Sequence, residues 1–280
     1  MIKKGALMGY LKNIIDSHTH SHYSDDSEML PEDGCQQAID HGLRGLVFTD
    51  HLDIDLPNPE YNFTFDAKAR SLFLDTLRKK FEGKLTILKG IEVGIQPHVI
   101  KESSIFIKSA DFDFVICSTH SVDHIDLSNP AFYHNKTHHH AFQRYLEEIY
   151  YTVCNFDSFD VVGHIGYIRR YAPYPDKSMK YAVYNDIIDA ILTKIIGKNR
   201  GIEINTSGWY YDLHEPHPTI DIIKRYKELG GTIITVGSDA HTAARIGDRF
   251  NDALAILVQA GFKHVTHFEN RKPVFTPIPR

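Results

Sequence analysis

Seven times along the chain an apolar, β-branched run stops with a polar group at or just past its end. The runs close as IIDSHTH (His18, His20), LVFTDH (His51), ILKGIEV (Glu92), FVICSTH (His120), VVGHIG (His164), IEINTS (Asn205) and IITVGSDAH (Asp239, His241). Imidazole and carboxylate donors placed at the carboxyl ends of successive buried strands describe one cup, because β/α barrels assemble their sites there. Such a cup predicts a multinuclear metal centre and points to hydrolysis.

The spacing within each run sharpens the reading. His18 and His20 are one residue apart, which on an extended strand sends both imidazoles to one face, where they can chelate one ion. His20 and His22 satisfy the same geometry, but His22 already lies beyond the apolar run. Asp239 and His241 repeat the device at the other end of the chain. Glu92 ends an apolar strand, where a carboxylate is costly unless paired or coordinated. Donors of this kind without thiolates suit zinc, manganese or iron, and do not choose among them. Asn205, Thr206 and Ser207 can donate hydrogen bonds to a substrate, and the adjoining Trp209, Tyr210 and Tyr211 can cover a small ring or simply fold onto the barrel.

The elements that must carry these groups alternate regularly. Strand-like runs fall at 13–16, 43–49, 86–92, 112–119, 159–163, 201–205 and 232–237. Helical segments are expected at 31–41, 66–82, 97–109, 138–154, 179–199, 217–230 and 250–260. Repeated βα units imply a parallel sheet, either a closed barrel or an open doubly wound one. An open sheet gathers its site at one switch point, whereas polar groups at seven strand ends suit a ring. The tail after Phe262, with KPVFTPIPR, reads as an appended edge or loop. At 280 residues and 42% hydrophobic, the chain is expected to form one α/β domain over 1–280. A net charge of −5 without a lysine/arginine stripe argues against nucleic acid or an anionic membrane as partner. Cys35, Cys117 and Cys154 are odd in number and lack a CxxC pattern, so neither a disulfide framework nor a thiolate zinc site is expected. The amino terminus, MIKKGALMGYLKN, has no apolar stretch long enough for a signal peptide, and no segment reaches membrane-spanning length. A cytoplasmic protein is expected. The triplet His138, His139 and His140 opens a helix after a polar loop and is read as solvated, while His124, His214 and His217 could line the mouth of the site.

The ordered set HTHSHYSDDS, FTDH, GIEVG, STHSVDH, GHIGYIRR, EINTSG and GSDAH, from residue 18 to residue 241, resembles the PHP (polymerase and histidinol phosphatase) superfamily. Its histidinol-phosphate phosphatase branch is the most similar. The resemblance implies a distorted (β/α)7 TIM-like barrel holding three divalent transition-metal ions. One would sit on His18, His20, Glu92 and Asp239. Glu92 would bridge to a second on His120 and His164, and a third would be bound by Asp26, His51 and His241. Many relatives have histidine at the Asp26 position, and Asp25 competes for the role.

The resemblance further implies a small phosphomonoester substrate, L-histidinol phosphate, attacked by water that the metals activate. A nucleotide, a sugar phosphate or a DNA end is the alternative target, and a non-catalytic metal-binding scaffold the reading outside enzymology. Arg169 and Arg170 lie in the loop above the fifth strand, where a guanidinium could clamp a phosphoryl group. The resemblance favours Arg169, with Arg170 as a structural ion pair and Arg245 as a second phosphate candidate. Asp239 is placed to pass a proton as well as to ligate. Asp53, Asp212 or Glu215 could meet the substrate ammonium, and the spacing selects none of them.

Overall fold

A computed structural model describes residues 10–278. Most of the amino-terminal segment read above for a signal peptide, and the last two residues of the tail, lie outside the described residues. Each apolar run is a strand: β1 (Ile15–Thr19), β2 (Gly45–Phe48), β3 (Thr86–Gly94), β4 (Phe114–Ser118), β5 (Val161–Val162), β6 (Gly201–Asn205) and β7 (Ile234–Gly237). They pair in chain order and all in parallel. A two-residue piece, His51–Leu52, pairs with the upper half of β3 and sets His51 opposite Glu92. At the carboxyl ends the ring is drawn shut where Asp239 N donates to the His18 carbonyl (2.8 Å) and His20 N to that of Ala240 (2.9 Å). The expected seven-stranded barrel is therefore the observed one.

The helices between the strands are α1 (Pro31–Asp40), α2 (Ala67–Lys80), α3 (Ile100–Ile107), α4 (His138–Asn155), α5 (Asn185–Gly197), the single turn α6 (Ser207–Tyr210), α7 (Ile220–Glu228) and α8 (Phe250–Gln259). Their starts follow local chemistry. Pro31 opens α1 with Glu32 and Asp33 in the first turn, where acids complement the helix dipole. Asp66 caps α2 by accepting from Lys68 N and Ala69 N. None of the helices among the described residues is long and apolar enough to cross a membrane.

The tail is more than an edge. Residues His264–Glu269 (β8) and Lys272–Pro277 (β9) form an antiparallel hairpin. Its Phe268 stacks on Phe114 with ring centroids 5.2 Å apart. Phe268 packs with Ile15, Val47, Leu88, Ile116 and Val161, apolar residues of five barrel strands. This apolar plug floors the barrel at its amino-terminal end. The polar groups are thereby left to the opposite end.

Candidate metal centre

Side chains alternate along a strand, so the residues that plug the floor predict which ones reach the cup. Leu88 leads by steps of two to Glu92, and Ile116 to Ser118 and His120. In β1 the same count from Ile15 would select Ser17 and Thr19. The pairing of β1 with β2 is irregular between Asp16 and Thr19. This bulge shifts the alternation by one residue and delivers His18 and His20 to the cup instead. Gly237 makes room for His18, since a Cβ there would lie 2.4 Å from His18 Cβ and 2.3 Å from Glu203 Oε1.

Four donors converge at the centre. His18 Nε2 lies 3.0 Å from His20 Nε2, 3.2 Å from Glu92 Oε2 and 3.5 Å from Asp239 Oδ1. His20 Nε2 lies 3.4 Å from each of the same two oxygens. Donors held tetrahedrally around one zinc ion lie about 3.3–3.6 Å apart, given metal–ligand distances of about 2.0–2.2 Å. The other carboxylate oxygen of Glu92 faces His164 Nε2 at 2.8 Å and His120 Nε2 at 3.2 Å. One carboxylate thus touches two clusters of imidazoles. Toward the rim, Asp26 Oδ2 meets His241 Nε2 at 3.1 Å and His51 Nε2 at 3.6 Å. Asp25 turns away and accepts from Asn62 N.

The charge pattern fits a cation. Burial opposes ionisation of Glu92, yet His18, His51 and His120 hold its carboxyl well below the usual range. Burial also opposes protonation of His120, but Asp53 and Glu92 push it up to about 10. His20, buried beside His241 and His51, is pushed down to about 3. Among the described residues, Glu92 Oε2, His51 Nδ1 and Asp53 Oδ2 are buried without a hydrogen-bond partner. Buried polar atoms are normally satisfied, and these three lie close together, His51 Nδ1 being 3.0 Å from Glu92 Oε2 and 3.6 Å from Asp53 Oδ2, which fits a place for a cation.

Residues 16–207 match the model of the PHP domain. The chain belongs to the PHP family. It is 35% identical to the histidinol-phosphatase of Lactococcus lactis subsp. lactis (strain IL1403), over 92% of this chain and 95% of that protein. It is 31% identical to a probable histidinol-phosphatase of Clostridium acetobutylicum, over 92% and 98%. The fold is similar to the crystal structure of the Lactococcus lactis histidinol phosphate phosphatase complexed with zinc, L-histidinol and phosphate. That match has a TM-score of 0.86 and 34% identity, and covers 94% of this chain and 99% of that one. The matched PHP residues end before β7, whose end supplies Asp239 and His241.

Outside the nine proposed ligands, the PHP barrel distributes polar residues differently from expectation. Arg169 does not face the cluster: its Nη2 pairs with Glu215 at 2.6 Å and its Nε donates to the Lys177 carbonyl. Arg170 does. Its Nη2 reaches Asp239 Oδ2 and Ser207 Oγ at 2.5 Å, and its guanidinium lies over the rings of Tyr167 and Tyr211. Arg245 stacks on Tyr210 and pairs with Asp248. The aromatic cluster therefore covers arginines. Asn205 is buried and donates toward Glu203 Oε2 (3.1 Å) and Asp239 Oδ2 (3.4 Å). Asp53 sits beneath His120, accepting from its Nδ1 through Oδ1 at 2.7 Å, while its Oδ2 has no partner and the residue lines a cavity beside the cluster. Glu215 is taken by Arg169. His138 packs on Phe142 and is only partly exposed, whereas His139 and His140 are solvated as expected. His217 is buried rather than at the mouth.

Three carboxylates escaped the sequence reading. Glu203 accepts from His18 Nδ1 (2.7 Å) and from His164 N (2.9 Å). Asp16 accepts from Ser238 N and Gly247 N, pinning β1 to the segment after β7. Asp50 pairs with the buried Arg70 and accepts from Ser21 N, which fixes the loop carrying Ser24 and Asp26. Each stands inside or at the end of an apolar run, the same signal that singled out Glu92.

Proposed function

We propose that this chain hydrolyses L-histidinol phosphate to L-histidinol and phosphate, using a centre of three divalent metal ions. The convergence of imidazoles on both oxygens of Glu92 carries the reading. Similarity to a phosphatase solved with zinc, L-histidinol and phosphate names the substrate. In this reading His18, His20, Glu92 and Asp239 hold one ion, Glu92, His120 and His164 a second, and Asp26, His51 and His241 a third. Such ions supply Lewis acidity toward the phosphoryl oxygens and toward an attacking water. The chain's own residues do the rest.

Asp239 divides its carboxylate between two tasks. Oδ1 faces the histidines and Oδ2 is held by Arg170, Asn205 and Ser207. Burial works against its ionisation, but Arg170 and His18 keep it well below the usual carboxylate range. It is accordingly a poor proton acceptor, and its role is ligation. Arg170 Nε and Arg169 Nη1 are both buried and without a partner, but only Arg170 reaches the cluster, through Asp239, where a guanidinium can meet a phosphoryl oxygen. We therefore move the phosphate contact from Arg169 to Arg170. Arg170→Ala should lower kcat/KM much more than Arg169→Ala, and equal effects would return the role to the pair as a whole.

Beside the cluster opens a cavity of about 230 Å³ lined by His51, His120, Tyr61, Phe63, Tyr167, Glu60 and Asp126, among others. Stacked Tyr61 and Phe63, with rings 5.2 Å apart, offer a wall for an imidazole, and Glu60 and Asp126 offer charge to an ammonium. We place the histidinol moiety here. The three free cysteines accord with a reducing compartment, and we place the activity in the cytoplasm. We take 1–280 as one barrel domain, since β7 completes the ring and the hairpin after it plugs the floor. The test is a substrate panel of histidinol phosphate, nucleoside monophosphates and oligonucleotides. A kcat/KM for histidinol phosphate no better than for a simple aryl phosphate would end the specific reading.

A further inference from the structure

A second cluster of metal-binding groups lies on the rim, apart from the centre. Asp55, His98 and His124 each offer a donor atom within 4.8 Å of the other two. They come from three different crossovers. Asp55 follows His51–Leu52, His98 lies in the turn Pro97–Val99 after β3, and His124 sits at the tip of a small hairpin (Ser121–Val122 with Ile125–Asp126) after β4. Asp55 Oδ2 is 2.9 Å from His98 Nε2, and the two imidazoles stand edge to face at 5.3 Å.

What separates this from a chance surface pair is the residue beneath it. Gln96 is almost wholly buried, at 5% exposure. Its Nε2 donates to the carbonyls of Asp55 (2.9 Å) and Ile54 (3.4 Å), which can only accept. The amide orientation is therefore set, and Oε1 must be the atom facing His124 Nδ1 at 3.1 Å. An acceptor there puts the proton on Nδ1 and leaves the Nε2 lone pair free. Histidine ligands of metals are commonly prepared in this way. The same side chain thus braces the backbone of Asp55 and selects the tautomer of His124.

We propose that Asp55, His98 and His124 form a further divalent transition-metal site, distinct from the catalytic centre, that ties together the loops flanking the substrate cavity. A set of two imidazoles and one carboxylate, exposed and with positions left for water, suits zinc, cobalt or nickel over magnesium or calcium. The loop carrying Asp55 continues into Asn58, Glu60, Tyr61 and Phe63, and the hairpin carrying His124 into Asp126 and Ser128; all six line that cavity. Asn58 Nδ2 already donates to Asp126 Oδ2 across the gap (2.9 Å). A bound ion adds a second tie nearby.

The test uses full-length protein equilibrated at a series of free zinc concentrations, with zinc per chain measured by elemental analysis. The wild type should take up about one ion per chain more than a His98→Ala/His124→Ala variant. A His139→Ala/His140→Ala variant, which removes two exposed histidines elsewhere, should match the wild type. Equal zinc content in the wild type and the His98/His124 variant across the series would overturn the site. So would an equal loss in the His139/His140 variant, which would mean indiscriminate uptake by surface histidines. These counts do not depend on the proposed reaction. A second readout does: filling the site should lower KM for histidinol phosphate and leave kcat unchanged. An unchanged KM with the extra ion present would remove the tie between loops while keeping the site.

Discussion

The inner and outer parts of the metal centre are built differently. In the inner part every strand-borne donor is fully or nearly buried and most are braced from behind: His18 by Glu203, His120 by Asp53, Asp239 by Arg170 and Asn205, Glu92 by Ser118. In the outer part the side chains of Asp26 and His241 are 26% and 28% exposed, while the third member, His51, is buried with its Nδ1 3.0 Å from Glu92 Oε2 and joins the two parts. Asp26 stands on a loop, and His241 Nδ1 lies 3.0 Å from the backbone oxygen of Asp239 and 3.8 Å from its Oδ1. Bracing orients a ligand and raises its basicity, and burial slows exchange with water. On the proposed ligand set the inner part is therefore a preformed cage, and the outer part would be completed by the ion that enters it.

The contrast can be broken most severely at Glu92, which touches both inner clusters. Glu92→Gln should remove the inner metal and lower kcat/KM by at least on the order of 10²–10³-fold, the scale of losing one electrostatic contact to a transition state. Full activity in that variant would contradict the bridging role. Glu203→Gln tests the bracing alone, because Glu203 supports His18 without belonging to the proposed ligand set. It should weaken inner zinc binding by about 10–100-fold and leave the outer site intact, as measured by competition with a chromophoric chelator. A milder loss is expected from His241→Ala, which should release about one ion per chain while the cage keeps its own. If the inner ions left as well, the two parts would be one cooperative unit.

The smallest effect is a matter of protons. Without metal, burial opposes a proton on His18 and His51, but neighbouring carboxylates raise both well above the ordinary histidine range, and His120 reaches about 10. These groups hold protons at neutral pH and must lose them to ligate, so metal uptake should acidify a weakly buffered solution and weaken as pH falls. Uptake with no proton release would mean that the histidines enter the site neutral.

Much of the cluster was legible because its side chains end apolar runs. His18, His20, Glu92 and Asp239 could be read from residue type and position, and the seven βα repeats from alternation of pattern. Asp26 could not, since nothing in HYSDDS distinguishes it from Asp25; the loop geometry that turns Asp25 toward Asn62 does. Which arginine reaches the cluster is hidden for a similar reason, because adjacent residues in a short helical turn point apart and the sequence does not say which way the turn faces. Glu203 and Asp50 are hidden by their company, since each is followed within a residue or two by Asn205 or His51, a polar group that also ends the run. The proline-rich tail gave no hint that Phe268 would plug the barrel, since the contact with Phe114 joins residues far apart in the chain.

The central claim is that the braced cage and the outer ion together perform the hydrolysis. Stepwise removal of metal from fully active protein, with metal content and histidinol phosphate turnover followed in parallel, tests it most directly. About one ion per chain should leave first and in proportion to chelator, with the inner pair leaving together at much higher chelator and the last activity disappearing with it. Fully active protein holding fewer than about two ions per chain, or turnover that survives their removal, would contradict the account.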